Sequence, residues 1–392
     1  MTHRERWVRT LNFQPVDHVP DEEFGFWEST FTTWHEHGLP TEINSNGNCD
    51  PYFGFAPRSG VPVGIGMTPG FKTETLEEAD DYRIERNSNG VITKVFTDGG
   101  DTIPQFMDHT LKDRKSWEEE FLPKLDIALE SRYPENRDDW EDIKARFNSP
   151  DWDRPVGISI GSIFGWLRDW MGFENITVMM YDDPELMHDM IEHLATLTTT
   201  VIRKSAEEIN IDYAAGWEDM AFRQGPMISP AMFREFLTPR YKMITDVLHE
   251  NDIDIIFTDC DGRVIDAIDP WLEGGLTGIF PCEVGAGRDQ TDPIAVREKW
   301  GEQVVILGGV NKHALGAGKE AIREEIKRME PYVKEGGWIP HVDHRCPPTV
   351  TFEDYLYYLD LKRDTFGIPR PEEFEARPEI KKIKARPGYW KT

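Results

Sequence analysis

The sequence has little cysteine, far fewer basic than acidic residues, and no long hydrophobic run. Its four cysteines, Cys49, Cys260, Cys282 and Cys346, are scattered over 392 residues, which excludes a disulfide framework and leaves free thiols or metal ligands. A net charge of −28 argues against binding nucleic acid or an anionic membrane surface, because both need a basic face. No segment has the length of a membrane span, and residues 1–6 lack the apolar core of a signal peptide. We therefore expect a cytoplasmic protein.

The sequence does contain enough apolar material for a large core, with 39% hydrophobic residues and 13 tryptophans. The N-terminal part, residues 1–150, is irregular. We predict a helix at 3–14, a first strand at 22–26, an irregular aromatic-rich segment at 27–60, a β-hairpin insertion at 70–105 and two surface helices within 113–150.

The remaining part, residues 151–370, is regular. Short apolar strands are predicted at 155–161, 212–219, 254–262, 276–283, 304–309 and 336–348. They alternate with helices, one of which begins with Asp183 as a cap and Pro184 in the first turn. This alternation predicts a parallel sheet, and the number of repeats favours a closed (β/α)8 TIM barrel with an N-terminal extension, forming one domain over 1–392. A GxGxxG motif is lacking, which argues against a dinucleotide-binding fold.

Chemically reactive side chains follow several of the predicted strands, and in a β/α barrel all these strand ends lie on one rim. They are Glu218, Asp259 with Cys260, Cys282 with Glu283, and His341 with His344 and Cys346. Thiolate, imidazole and carboxylate together suit zinc, and three protein ligands with one open position would make a catalytic site. The alternatives are structural. Cys282 is then a small core residue, the two histidines bind backbone groups, and Glu218 forms a salt bridge, for instance to Arg223.

Five stretches of the chain carry a resemblance to a known family. They are residues 12–20, 230–241, 259–262 (Asp-Cys-Asp-Gly), 308–312 (Gly-Gly-Val-Asn-Lys) and 336–355. In these stretches the chain resembles the uroporphyrinogen decarboxylase superfamily, which includes the cobalamin-dependent methyltransferases. The resemblance covers nearly the whole chain and implies a (β/α)8 barrel.

The resemblance favours the methyltransferase branch of that superfamily. The decarboxylase branch has an N-terminal arginine-rich segment that holds substrate carboxylates, whereas residues 21–27 here are acidic and aromatic. The methyltransferase branch holds zinc through a His-x-Cys after one strand and a cysteine after the last. Here threonine replaces that histidine while Cys260 remains, and both His341 and Cys346 follow the last strand. The predicted metal ligands are therefore Cys260, His341, Cys346 and Glu218.

The resemblance implies that the enzyme moves a methyl group from a small methylated substrate to a corrinoid carried by a partner protein. A methoxylated aromatic is the preferred substrate, because its phenolate leaving group needs a metal or an acid, and Asp259, Glu218 or His344 would serve. Aromatic side chains suit such a substrate, and those predicted to line its site are Phe24, Phe26, Trp166 and Trp217. Packing in the core is the alternative for these rings. The alternative functions are a metal-free decarboxylase and a non-catalytic corrinoid-binding accessory protein, and the sequence is compatible with a homo-oligomer.

Overall fold

The fold is built on a curled parallel sheet surrounded by helices. The computed structural model describes residues 1–96, 104–134 and 137–370. Its strands are β1 (Ser59–Gly60), β2 (Glu74–Glu78), β3 (Tyr82–Arg86), β4 (Val91–Phe96), β5 (Gln105–His109), β6 (Val156–Gly161), β7 (Tyr213–Trp217), β8 (Ala221–Phe222), β9 (Gly225–Pro226), β10 (Ile255–Asp259), β11 (Gly278–Phe280), β12 (Val305–Leu307) and β13 (Trp338–Ile339).

The helices are distributed along the whole chain. The α-helices are α1 (His3–Leu11), α2 (Glu28–Glu36), α3 (Asn46–Phe53), α4 (Arg114–Ser116), α5 (Arg137–Phe147), α6 (Gly165–Met171), α7 (Phe173–Asp182), α8 (Pro184–Ala206), α9 (Pro230–Met232), α10 (Thr238–His249), α11 (Ile265–Glu273), α12 (Pro293–Trp300), α13 (Lys312–Gly316), α14 (Lys319–Lys334) and α15 (Phe352–Phe366). Shorter π and 3-10 turns lie at Trp117–Phe121, Leu122–Leu125, Glu130–Arg132, Phe233–Leu237 and Gly301–Gln303. None of the helices within the described residues is both long enough and apolar enough to cross a bilayer.

The main sheet has seven strands in the order β1-β6-β7-β10-β11-β12-β13, and every neighbouring pair is parallel. The strands follow one another in sequence order with helices between them, as a β/α barrel requires. Residues 21–26 lie between the two edges. Asp21 accepts a hydrogen bond from Ala56, just before β1, and Gly25 accepts one from Cys346, beyond β13. The architecture is therefore that of a partial TIM-like barrel, and a complete ring of eight strands is not present among the described residues.

Helix α1 closes the amino end of the curl. Trp7 and Leu11 are buried there and pack in one interior cluster with Tyr213, Ile255 and other inward-facing residues of the strands. The amino end of the sheet is thus sealed by apolar side chains, and access to its interior is from the carboxyl end.

The regular part of the chain agrees with its prediction. Helix α8 begins where Asp183 accepts a hydrogen bond from the backbone N–H of Leu186 and Pro184 occupies the first turn. Its apolar residues recur at helical spacing and are buried against the sheet, among them Met187, Ile191 and Val201. The strands predicted after residue 151 are all present, each shorter than the predicted range.

The N-terminal part differs from its prediction in three places. Residues 27–60 are not irregular, because they contain α2, α3 and β1. Residues 22–26 form only an isolated bridge, between Phe26 and Cys346. The insertion at 70–105 is a four-stranded antiparallel sheet, β2-β3-β4-β5, rather than a hairpin. Residues 97–103 of that insertion, and residues 371–392 of the predicted single domain, lie outside the described residues.

Candidate functional site

Side chains on β10 alternate between the inside and the outside of the curled sheet. Ile255 and Phe257 belong to the interior cluster, whereas Ile256 and Cys260 belong to the core between sheet and helices. Asp259 continues the inward series and is partly buried. At its C-terminal end, β10 therefore places the side chain of Asp259 in the interior of the sheet and the thiol of Cys260 on the outside.

Three aspartates form an acidic cluster at this end of the sheet: Asp219, Asp259 and Asp261. Asp219 follows β7, has a positive φ of 40°, and accepts a hydrogen bond from the backbone N–H of Asp261. Arg168 donates to the carbonyl oxygen of Asp219. The tight turn after β7 thus directs a second carboxylate towards Asp259, and the chain after β10 supplies the third.

The acidic cluster changes the acidity of Asp259. Burial, and then the negative charges of Asp261 and Asp219, raise the pKa of Asp259 to about 8, against the opposing effect of Arg345. No hydrogen bond within the described residues contributes to this shift. Asp259 is therefore an uncharged carboxylic acid at neutral pH, and its proton is available to a bound molecule.

His344 lies beside the acidic cluster and is held by aromatic rings. Its Nε2 is 3.1 Å from Oδ2 of Asp261. Trp27 stacks on its ring with a centroid distance of 5.3 Å, and Phe24 meets its edge at 5.4 Å. Arg345 lies over the Trp27 ring. We call Phe24, Trp27, Asp259 and His344 the mouth of the sheet.

Glu218 is tied into the structure rather than facing the mouth. It is 1% exposed and accepts hydrogen bonds from the Ser162 hydroxyl and from the backbone N–H groups of Ile163, Phe164 and Gly165. The Tyr241 hydroxyl also donates to it. Its carboxylate caps the turn that leads into α6, so the capacity of both oxygens is used. The salt bridge to Arg223 that was the structural alternative for Glu218 is not formed. Arg223 instead pairs with Asp289.

The predicted zinc ligands, Cys260, His341, Cys346 and Glu218, are not assembled. Among the described residues no three His, Cys, Asp or Glu side chains are grouped so as to hold a metal ion. The two cysteines point out of the sheet into the core, and burial raises their pKa well above the ordinary thiol value. These residues do not fit a zinc centre, and we derive no step through one.

His341 faces the interior instead, beside Phe280, on the same side as Ile339, as the alternation of the strand predicts. Its Nδ1 lies 2.8 Å from the carbonyl oxygen of Val342, and burial lowers its pKa to about 3. It is therefore a neutral imidazole that donates from Nδ1, which agrees with the structural alternative for this residue.

The four predicted substrate-lining rings separate into two groups. Phe24, Trp166 and Trp217 are partly buried at the carboxyl end of the sheet, where Trp166 meets Trp217 edge-on. Phe26 is 1% exposed and packs between Trp34, Phe53 and Tyr355 in the outer core. Phe26 therefore lies away from the position predicted for it beside Phe24, and Gly25 between the two residues has a φ of 123°.

Trp27 of the mouth and three residues beside it, Arg345, Asp219 and Asp261, were not identified from the sequence. Trp27 and Arg345 follow directly after Phe26 and His344, in loops whose course the sequence does not reveal. Asp219 and Asp261 could have been identified from the sequence, because Asp219 is adjacent to Glu218 and Asp261 lies two positions after Asp259. Glu218 and Asp259 had already been selected as residues at strand ends. The loops, rather than the strands, decide which of these side chains meet.

The chain is similar to a known family and to named proteins. The family model "Uroporphyrinogen decarboxylase (URO-D)" matches residues 144–364. The uroporphyrinogen decarboxylase of Pseudomonas paraeruginosa is 30% identical over 187 residues, which is 45% of this chain and 48% of the relative. That of Pseudomonas syringae pv. tomato is 28% identical over 186 residues, with the same shares of 45% and 48%. This chain thus spans about half the length of the curated relatives it matches.

Proposed function

Because this chain belongs to the uroporphyrinogen decarboxylase family, we propose that it is an enzyme in which Asp259 acts as a general acid on a small aromatic substrate. The observation that carries this proposal is the pKa of Asp259, raised to about 8 by burial and by its acidic neighbours. A general acid must hold its proton at the working pH and release it easily, and a carboxyl group with this pKa does both. The aromatic rings of the mouth suit the flat face of such a substrate.

The reaction that we propose is the O-demethylation of a methoxylated aromatic. The bond between the methyl carbon and the oxygen breaks, the methyl group passes to a reduced corrinoid on a partner protein, and Asp259 gives its proton to the oxygen. The products are a phenol, a methylated corrinoid and the Asp259 carboxylate, which regains a proton from water. A phenol has a pKa of about 10, so transfer of the proton from Asp259 to a phenolate is downhill.

The surface around the mouth supports a partner of this kind. Two large apolar side chains are exposed at the carboxyl end of the sheet: Trp27, just before α2, is 39% exposed, and Phe222, on β8, is 45% exposed. A corrinoid supplies a cobalt nucleophile and presents a broad, largely apolar ring, for which exposed aromatic side chains are a suitable contact.

Product analysis tests the proposal. The purified protein is incubated with methoxylated benzenes and chemically reduced cobalamin, and phenol and methylcobalamin are quantified by chromatography and absorption. We expect both products in equal amounts with the wild type. Binding of the aromatic without either product would favour the non-catalytic accessory role.

Decarboxylation is the second candidate, favoured by the names of the relatives from Pseudomonas. The same acid would then protonate the carbon atom from which carbon dioxide leaves. The acidic cluster of Asp219, Asp259 and Asp261 disfavours a polyanionic tetrapyrrole at this mouth, so a smaller acid is the better substrate. Release of carbon dioxide from aromatic or pyrrole acids, without methyl transfer, would replace the first proposal by this one.

The pH dependence of turnover provides a further prediction. The active form of Asp259 is the protonated one, which is lost as the pH rises through a pKa of about 8. We expect kcat to be level between pH 6 and 7 and to fall about tenfold per pH unit above pH 8. Initial rates between pH 6 and 10, with circular dichroism to verify folding, measure this. A profile that is flat or rises up to pH 10 would exclude Asp259 as the acid.

A further inference from the structure

The interior of the curled sheet contains a space that opens at the mouth. Tyr213, at the start of β7, is buried, whereas Ala215 and Trp217 further along the same face are partly exposed. Ser159, in the middle of β6, is the only exposed residue of that strand. A side chain that points into a curled sheet can be exposed only if the interior is not filled. The exposure of Ser159, Ala215 and Trp217 thus indicates a space along the inner faces of β6 and β7 that opens at the carboxyl end of the sheet.

Arg58 lies deep in this space, immediately before β1. Its guanidinium carbon is 5.8 Å from the centre of the Tyr213 ring, 5.9 Å from that of Phe257 and 6.0 Å from that of Phe280, and all three rings belong to the interior cluster. Although it is surrounded by these rings, 25% of the side chain is exposed. The guanidinium thus borders the interior space.

The protein supplies few acceptors to this guanidinium. Glu22 is the only carboxylate within 4 Å among the described residues, with Nε and Oε2 3.5 Å apart, and the Tyr213 hydroxyl also lies against it. Burial raises the pKa of Glu22, while the positive charge of Arg58 opposes this shift. Within the described residues, most N–H donors of Arg58 therefore have no protein acceptor, although a guanidinium taken out of bulk water needs them satisfied.

The ligand that satisfies such a group is a carboxylate. The planar fork of an arginine pairs with a carboxylate through two parallel hydrogen bonds. The partly exposed inner-face residues Ala215 and Trp217 border the space with apolar side chains. Phe257, which contacts Arg58, and Asp259 both face inward on β10 and are two residues apart, about 7 Å along the strand. This separation is close to the length of a benzene ring with one substituent at each end.

We propose that Arg58 binds the carboxylate of a small aromatic acid inside the curled sheet, so that a substituent para to the carboxylate reaches Asp259. Arg58 lies outside residues 21–27, the segment in which the decarboxylase branch of the superfamily has its arginines. The site assigns the substrate class of the proposed O-demethylation and rests on that function only for the role of Asp259. The carboxylate is an anchor, and it is the opposite end of the ring that reacts.

Binding measurements test the anchor without any turnover. Isothermal titration of the full chain at pH 7 compares 4-methoxybenzoate with its uncharged amide. We expect the acid to bind about 10 to 100 times more tightly than the amide to the wild type, as a charge-assisted pair implies. In Arg58→Gln this preference should vanish, whereas Arg223→Gln, which removes an exposed arginine paired with Asp289, should keep it.

The outcomes separate this inference from the proposed function. Equal affinity of the wild type for acid and amide would overturn it, even if Arg58→Gln failed to fold, and so would a preference retained in a folded Arg58→Gln. Binding of the acid through Arg58 with no demethylation by the wild type leaves the anchor in place and removes the function. If neutral methoxybenzenes were demethylated as fast as the acid, the proposed function would stand and the anchor at Arg58 would be excluded.

Discussion

Asp259→Asn is expected to lower kcat about 10²- to 10⁴-fold, the usual contribution of a positioned general acid, and at the same time to stabilise the protein at alkaline pH. Asparagine keeps the size of the side chain and its place on β10 but has no proton to give to a leaving oxygen. The affinity for 4-methoxybenzoate should change less than threefold, because the anchor at Arg58 is untouched. Rates and binding constants measured on the same preparation distinguish the two effects.

The stability effect has a definite direction. The pKa of Asp259 in the folded chain is about 8, above the ordinary value of 3.8, so between these values the folded state holds a proton that the unfolded state has lost. The free energy of unfolding of the wild type therefore falls as the pH rises from about 4 to 8. Asparagine carries no charge at any pH. The free energy of unfolding of Asp259→Asn should exceed that of the wild type by little at pH 4 and by about 2 kcal/mol at pH 9, allowing for partial solvent exposure.

Urea unfolding of the wild type and of Asp259→Asn at pH 4, 6 and 9 measures this advantage. A variant that loses activity but gains nothing at pH 9 would show that the pKa of Asp259 is not raised in the folded protein. Asp259 would then be ionised at neutral pH, and the proposed general acid would be excluded. Asp266→Asn is a suitable control, since Asp266 is 53% exposed and paired with Arg263 at the surface. It should leave both stability and its pH dependence nearly unchanged.

Glu218→Ala should cost about 3–5 kcal/mol of the free energy of unfolding, because it leaves several buried donors without an acceptor at about 1–3 kcal/mol each. The substitution leaves the N–H groups of Ile163, Phe164 and Gly165 and the hydroxyls of Ser162 and Tyr241 without their shared acceptor. The turn into α6, which carries Trp166, would then lose its support.

Chemical denaturation of Glu218→Ala and of Glu273→Ala provides the comparison. Glu273 is 46% exposed and pairs with Arg234 on the surface, so its loss should cost less than about 1 kcal/mol. If the two variants were equally stable and only Glu218→Ala lost turnover, Glu218 would have the chemical role that its position after β7 first indicated.

The sequence predicts the strands of this fold better than it predicts the site. Residues such as Ile255 to Phe257 are apolar, β-branched or aromatic and are bounded by polar turns, so their strand is evident locally. The adjacent residues Asp259 and Cys260 show what is harder. Asp259 ends β10 and Cys260 follows it, but the pleat sends the carboxyl group inward and the thiol outward. The thiol that was predicted as a metal ligand therefore lies on the opposite face from the carboxyl group.

The N-terminal part shows a second limit. Strand β1 is only two residues long, too short for any pattern, and Arg58 precedes it in a segment rich in aromatic and turn residues. Its position among the rings of three other strands depends entirely on contacts distant in sequence. Ser45 and Asn48 do form a capping box at the start of α3, a local signal by which that helix could have been recognised.

The seal that Trp7 and Leu11 form at the amino end of the sheet makes the interior a blind channel. Within the described residues, a small molecule bound against Arg58 as proposed would leave past Trp27 and His344, the same surface on which a corrinoid protein would dock. The aromatic substrate would then have to enter before the corrinoid protein docks. The phenol could leave only after the corrinoid protein has dissociated. Steady-state kinetics should accordingly show an ordered sequence in which excess partner protein slows turnover by trapping the product.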